Sequence, residues 1–267
     1  MDTLQVLILA LVQGITEFLP ISSSGHLILP AQLLGWEDQG LAFDVAVHIG
    51  TLGAVLVYFR KDIFAIAMDW LGSLVGKGST FNSRLGWYLI FATLPAVAFG
   101  LLLKSLGLDE AMRTVAVIAG TTLIFGALLG WADLKGKRIQ PLEKMTFKQA
   151  MLVGFAQALA LIPGTSRSGI TMTAALMMGM TRDAAARFSF LLSIPVILGA
   201  ASLLIKDLIE SSVPVDWAML SMGAAAAFVS AWLCVYFFLA FINRIGLMPF
   251  VIYRMILGVV LLWFVIV

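Results

Sequence analysis

The stretch QGITEFLPISSSGH, residues 13 to 26, sets an amide (Gln13), a carboxylate (Glu17), three consecutive hydroxyls (Ser22, Ser23, Ser24), a glycine (Gly25) and an imidazole (His26) inside an otherwise hydrocarbon run. A second polar interruption, LIPGTSRSGIT at 161 to 171, supplies Ser166, Arg167, Ser168, Gly169 and Thr171. A carboxylate at bilayer depth costs at least about 2.5 to 3.5 kcal/mol, so such residues are rare and usually functional. Arg167 in a comparable place needs an anionic partner, and its planar fork suits phosphate oxygens bidentately. Pro20 stops one half-helix, and Ser22 to Gly25 begin the next, where hydroxyls cap and free backbone N–H groups favour anions. Gly164 to Gly169 repeat that arrangement. Two such N-termini meeting head to head, with Arg167 between them, describe an oxyanion or phosphate pocket.

A phosphate pocket that also holds a carboxylate, hydroxyls and an imidazole has the parts of phosphoryl transfer: charge neutralisation, a nucleophile and proton management. Arg167 neutralises charge. Either one of the clustered hydroxyls is the nucleophile, with His26 as base or acid, or His26 activates water directly. Glu17, with Gln13 one turn earlier on the same helix face, suits a divalent cation, Mg²⁺ or Ca²⁺, and a general-base role for Glu17 is the alternative. Blander explanations exist: Glu17 as a helix-end residue reaching water, His26 as a hydrogen-bonded bundle residue, the small residues as close packing. Packing accounts for Gly25 and Gly169. It does not account for Glu17, His26 and Arg167.

The elements that must carry these residues follow from composition. Of 267 residues, 61% are hydrophobic and 12% charged, against roughly 45–50% and 25% in an ordinary soluble domain. The chain is that of a membrane protein, and its net charge of +2 offers no basis for a nucleic-acid partner. The N-terminal Met1-Asp2-Thr3 has no basic region, and the apolar run after it leads into the first polar stretch, so a signal peptide is not expected. The lone cysteine, Cys234, is expected to pack. Six apolar runs are long enough to span, near 42–59, 86–103, 114–131, 188–205, 217–240 and 250–267. Two further apolar regions, 4–36 and 147–180, are broken by the polar stretches. Each is expected to form a re-entrant helix-break-helix hairpin, because irregular backbone at membrane depth persists only where it is enclosed or lines a watery cavity.

The two breaks match. An ungapped offset of 144 residues places Gln13 on Gln157, Ser22 on Ser166, Ser24 on Ser168 and Gly25 on Gly169. The expected architecture is an all-α integral membrane protein in an inverted-topology repeat: residues 1–131 carry hairpin 4–36 and three spans, and 132–267 carry hairpin 147–180 and three more. Three is odd, so the second copy enters upside down, with the site near the midplane where the repeats meet. Of the basic residues, twelve fall on one face, among them Arg60, Lys137 and Arg244, and three on the other, Lys104, Arg113 and Lys206. The richer face is therefore expected in the cytoplasm, both termini outside, with Arg167 and Arg254 left at membrane depth.

The two motifs, QGITEFLPISSSGH and PGTSRSGIT (163 to 171), with PFVIYR at 249 to 254, resemble those of the undecaprenyl-diphosphate phosphatase family of the bacitracin-resistance type, over nearly the whole chain. The resemblance implies a hydrolase of the bacterial cytoplasmic (inner) membrane. It would remove the terminal phosphate of the C55 polyprenyl diphosphate released in cell-wall polymer synthesis, on the periplasmic or exterior side, recycling the lipid carrier. It implies roles for Glu17, Ser22, Ser23, Ser24, His26, Ser166, Arg167 and Thr171 and brings in Arg254; joined to the reading of the breaks, the candidate site is catalytic Glu17, Ser23, His26 and Arg167, phosphate-binding Ser22, Ser24, Gly25, Ser166, Ser168 and Thr171, and secondary Arg254 and Asp44. Ser23 is favoured as nucleophile by the resemblance; spacing does not separate it from its neighbours. Gln13 departs from members that carry a second glutamate there, which bears on any metal site built from Gln13 and Glu17.

The rival from another class is a transporter or flippase for a lipid phosphate or small anion, since inverted repeats with broken helices suit carriers. The reactive set decides against it: a pure anion carrier needs positive groups but no carboxylate beside the phosphate. A lipid phosphatase of the acid phosphatase type is excluded because its downstream histidine and aspartate would fall on Thr173 and Met177. Asp44 and His48, four apart in the first span, are expected to make a structural hydrogen bond rather than to enter the site. The sequence leaves oligomeric state open, a homodimer included.

Overall fold

In a computed structural model the described residues are 2–36, 39–210 and 216–266; Met1, residues 37–38 and 211–215, and Val267, the last residue of the sixth expected run, lie outside them. The helices are α1 (Thr3–Phe18), α2 (Ser23–Leu34), α3 (Gly40–Tyr58), α4 (Arg60–Leu74), α5 (Phe81–Ser105), the single turn α6 (Leu108–Ala111), α7 (Val115–Lys135), α8 (Phe147–Ala158), α9 (Arg167–Met177), α10 (Arg182–Glu210), α11 (Trp217–Ile245) and α12 (Met248–Ile266). Among the described residues six helices are long and apolar enough to cross a bilayer, α3, α5, α7, α10 over Arg182–Leu203, α11 and α12, one for each expected run. They bare large apolar side chains outward, among them Ile124, Ile256 and Trp263, as the hydrocarbon requires of a helix whose backbone groups are satisfied internally.

Helix α4 was not expected. It opens on Arg60, Lys61 and Asp62, and Asp69 interrupts the apolar residues that follow, so the segment reads as a charged connection. It folds because Ile66 and Trp70 close over Gly86 of α5 and Asp69 accepts from the Thr80 hydroxyl at 2.7 Å and from Asn82 at 3.1 Å. Helix α7 continues unbroken to Lys135, past the expected division between 131 and 132. Its last turn holds Asp133, whose fully buried carboxylate the division would separate from α7.

Packing sets the positions of the two broken pairs. Helix α3 lies along α11 and α10, α1 along α11, α8 along α5, and α7 along α12. The α8–α5 contact passes over Gly154, where a Cβ would come within 2.7 Å of the Ala92 Cα, so only glycine allows that approach.

One end of the bundle gathers the last turns of α7 and α11 and the first turns of α10 and α12. There Asp133 accepts from Arg182 Nε at 2.6 Å, from Arg182 Nη2 at 3.0 Å and from the Leu247 N–H at 3.2 Å. Helix α8 starts and α9 finishes at this same end. Gln149 of α8 exchanges 2.9 Å hydrogen bonds with Gln140, and Gln140 bridges Met180, just beyond α9. At the opposite end Val6 of α1 and Phe43 of α3 surround Gly223 of α11.

Candidate functional site

Each break begins at a proline. The residue before proline is driven out of the helical region: Leu19, before Pro20, takes φ −72° and ψ 146°, and Ile162, before Pro163, takes φ −80° and ψ 119°. Helix α1 therefore stops at Phe18, and α8 runs out through a short 3-10 turn at Leu159–Leu161. The next helix of each pair then starts from a serine in left-handed conformation, Ser22 at φ 75° and Ser166 at φ 71°. Such a conformation costs a non-glycine residue about 1–3 kcal/mol. Part of that is offset by capping, since the Ser22 hydroxyl accepts from the Gly25 N–H at 3.4 Å and the Ser166 hydroxyl from the Gly169 N–H at 3.1 Å. The amides of the first turns of α2 and α9 have no intrahelical acceptor.

The breaks are stitched together. The Ser168 hydroxyl donates to the Leu19 carbonyl at 2.8 Å. Arg254 of α12, fully buried, donates Nη1 to the carbonyls of Pro20 (3.3 Å) and Thr165 (3.0 Å), Nη2 to those of Gly164 (3.0 Å) and Thr121 (3.4 Å), and Nε to that of Thr122 (3.2 Å). Carbonyl dipoles thus compensate the buried guanidinium. One side chain holds both breaks against α7.

That clamp brings Glu17 and Arg167 face to face. Arg167 Nη2 lies 2.8 Å from Glu17 Oε1, while its Nη1 donates to the Ser189 carbonyl at 3.1 Å. Glu17 Oε2 accepts from the Ser23 hydroxyl at 2.8 Å and from Gln13 Nε2 at 3.1 Å. The geometry separates the three serines, which spacing did not. Ser22 is the cap and lies 3.4 Å from the Ser24 hydroxyl, whereas Ser23 alone of the three donates to the carboxylate. His26 turns elsewhere: Nδ1 is 2.7 Å from the Ser22 carbonyl and Nε2 is 2.6 Å from the Tyr253 hydroxyl.

The remaining expected residues divide. Ser24 is exposed, and Ser23, His26 and Arg167 are partly so, whereas Ser22, Gly25, Ser166, Ser168 and Thr171 are buried. Thr171 donates to the Arg167 carbonyl at 2.9 Å and meets the Ser189 hydroxyl at 2.7 Å, so it supports the helix that presents Arg167. Asp44 accepts from Gln39 at 3.1 Å, and His48 Nδ1 binds the backbone carbonyl of Asp44 at 2.7 Å; the expected Asp44–His48 bond runs through the main chain because a residue at i+4 faces the i carbonyl directly. Sequence reasoning passed over Ser189, which no spacing marks. It also passed over Tyr253, whose only signal is its place beside Arg254 in PFVIYR.

For a divalent cation the donors on offer are Glu17 Oε2 and Gln13 Oε1, the latter buried and without a hydrogen-bond partner. Among the described residues no cluster of three His, Cys, Asp or Glu side chains forms. Two protein oxygens fit a hard ion that takes its other ligands from water and substrate phosphate, as Mg²⁺ does.

The family model for the bacitracin resistance protein BacA matches residues 6–260. The chain belongs to the BacA family. Within it, the chain is 60% identical over 265 residues to an undecaprenyl-diphosphatase of Alteromonas mediterranea, covering 99% of both chains. It is 59% identical over 273 residues to one of Colwellia psychrerythraea, covering 99% of this chain and all of the relative, and 60% identical over 262 residues to one of Chromohalobacter salexigens, covering 98% of both. Both breaks of this BacA-family chain, with Tyr253 and Arg254, lie within the matched region.

Proposed function

We propose that the chain hydrolyses undecaprenyl diphosphate to undecaprenyl phosphate and inorganic phosphate. The observation that carries this is the line Ser23–Glu17–Arg167, a hydroxyl, its proton acceptor and a phosphate-gripping cation assembled from two breaks 144 residues apart. Relatives of this length and identity bear the name of that activity.

Arg167 binds the terminal phosphate through its fork, with the free amides at the starts of α2 and α9 contributing donors. A phosphate that draws Arg167 over leaves Glu17 Oε1 open. Ser23 Oγ attacks the terminal phosphorus, its proton passes to Glu17, and the bond from phosphorus to the bridging oxygen breaks, releasing the lipid monophosphate. Water then attacks the phosphoserine with His26 accepting its proton, the bond from phosphorus to Ser23 Oγ breaks as Glu17 returns its proton to that oxygen, and inorganic phosphate leaves. In the alternative role, a divalent cation, Mg²⁺ or Ca²⁺, held by Glu17 and Gln13 would neutralise charge on the transferred phosphate, and Glu17 would then not be the acceptor of the Ser23 proton. Ser166, Ser168 and Thr171 keep the second break in place behind these groups, and Arg254 locks both.

The same contacts support an inverted repeat of two re-entrant hairpins, with residues 1–135 and 136–267 as the halves. The α8–α9 pair enters and returns at the end rich in Arg182 and Gln140, while α1 starts at the opposite end beside Gly223. With the basic end in the cytoplasm, the first pair opens to the periplasm or exterior, where the substrate is released, and both termini lie outside. An apolar groove of about 570 Å³, lined by Leu11, Ile15, Leu19, Leu233, Phe237 and Phe241, begins beside the first break and suits the prenyl chain. A carrier for lipid phosphate would use the same halves, but it gains nothing from a serine bonded to a buried carboxylate. Purified protein in detergent, given farnesyl or undecaprenyl diphosphate, should release inorganic phosphate. No release with either Mg²⁺ or Ca²⁺, or with neither, overturns the proposal.

A further inference from the structure

We infer that Tyr253 is a positioning residue for His26, its hydroxyl fixing which imidazole nitrogen faces the reaction. The inference rests on the phosphatase reading above only for its kinetic arm. The Ser22 carbonyl, 2.7 Å from Nδ1, can only accept, so Nδ1 carries the hydrogen. In the neutral ring Nε2 is then the acceptor, and the Tyr253 hydroxyl at 2.6 Å is its donor. The two rings lie nearly parallel, 13° apart with centroids 5.7 Å apart, so the imidazole is held against rotation about its own bond as well as at both nitrogens.

The tyrosine is itself held. It precedes Arg254 in α12, and Arg254 is anchored by five backbone carbonyls of α7 and the two breaks. The hydroxyl therefore stays registered to the same frame that sets Glu17 opposite Arg167. His26 begins the second turn of α2, and without Tyr253 only one hydrogen bond, to Ser22, would orient it.

This assigns the two proton-handling groups to separate partners. Ser23 donates to Glu17, not to His26, so His26 is free of the first step and, in the neutral ring, offers an unprotonated Nε2 to the attacking water. Water reaches that nitrogen by taking the tyrosine hydroxyl's place or by bonding between the two; Tyr253 is 41% exposed, so its hydroxyl has room to yield.

The test is Tyr253→Phe in full-length protein in detergent, which keeps the ring and removes the hydroxyl. The chain has two histidines, so ¹⁵N-histidine labelling gives two imidazoles, and the one lost in His26→Gln is His26. Without substrate, Tyr253→Phe should move the His26 Nε2 resonance toward that of a free imine nitrogen while Nδ1 remains protonated. On a polyprenyl diphosphate, kcat should fall about 10- to 100-fold, the range found when the partner orienting a metal-ligating histidine is removed, with KM changed less than about twofold. Tyr253→Leu, which also removes the ring, should lose no less. An unchanged Nε2 resonance, or a kcat equal to that of the parent, overturns the inference. If the parent itself releases no phosphate, the phosphatase reading fails while the nitrogen resonance still decides the Tyr253–His26 contact.

Discussion

Replacing Arg167 by lysine separates grip on phosphate from the structural service of balancing Glu17. Arg167 spends one terminal nitrogen on Glu17 Oε1 at 2.8 Å and the other on the Ser189 carbonyl at 3.1 Å, with only 12% of its side chain exposed. Alanine would strip the buried carboxylate of its counter-charge, a change that costs about 3–5 kcal/mol of stability when a buried pair is broken and would confuse unfolding with lost chemistry. Lysine keeps the charge and loses the fork. At least one charge-assisted hydrogen bond to the phosphate is then missing in the transition state, about 1.5–3 kcal/mol, or roughly one to two orders of magnitude in kcat/KM. The assay is inorganic phosphate release from farnesyl diphosphate in detergent, with thermal unfolding followed on the same preparations. Arg167→Lys should melt near the parent and lose the activity. A kcat/KM within about threefold of the parent, with melting unchanged, would refute the assignment of Arg167 to the phosphate. An activity loss that disappears once the folded fraction is corrected for would refute it equally.

Ser23→Ala removes the one hydroxyl of the cluster that donates to Glu17 and should lower kcat by about 10³-fold or more; retention of a tenth of the parent rate would assign the attack to water. Gln13→Ala deletes a buried oxygen with no protein partner and should weaken the concentration dependence on Mg²⁺ or Ca²⁺ by about 10- to 100-fold, whereas an unchanged titration would remove Gln13 from any cation site. Asp133→Asn takes the charge from a carboxylate that anchors Arg182 and the Leu247 N–H. Because Arg182 keeps 21% of its side chain exposed, the cost should be below that of a sealed pair, about 2–3 kcal/mol. It should show as a lower melting temperature with kcat per folded molecule unaltered.

The six spans and the positions of both breaks were legible because the bilayer demands long apolar runs and punishes polar ones, so hydropathy reports them directly. Helix α4 escaped because charges divide its apolar residues, and its burial depends on a contact with Gly86 that no local pattern encodes. Within the site, residue type revealed the groups but not their pairing. Ser22, Ser23 and Ser24 are indistinguishable by spacing; what separates them is the left-handed turn at Ser22, which spends its own hydroxyl on the cap and swings the next toward Glu17. His26, expected either to serve a clustered hydroxyl or to activate water directly, meets the hydroxyl of Tyr253, 227 residues distant. Long-range contacts between polar side chains follow from tertiary register, and the offset that related the two breaks says nothing of α12.

The division of charge between the halves explains why the site needs both. Glu17 in the first break and Arg167 in the second each carry an insertion cost of at least about 2.5 to 3.5 kcal/mol at bilayer depth. Either half alone would leave one of them without a counter-charge. Brought to 2.8 Å, each reduces the other's cost, so the contact that completes the site also favours the packing of one half on the other. The pair is not sealed: 12% of the Arg167 side chain is exposed, so an anion with several charges can compete with a single carboxylate for the guanidinium. A diphosphate satisfies that condition and a neutral lipid headgroup does not. On the proposed reaction, a ligand able to take Arg167 from its partner would be selected and would free Glu17 as a proton acceptor in the same event.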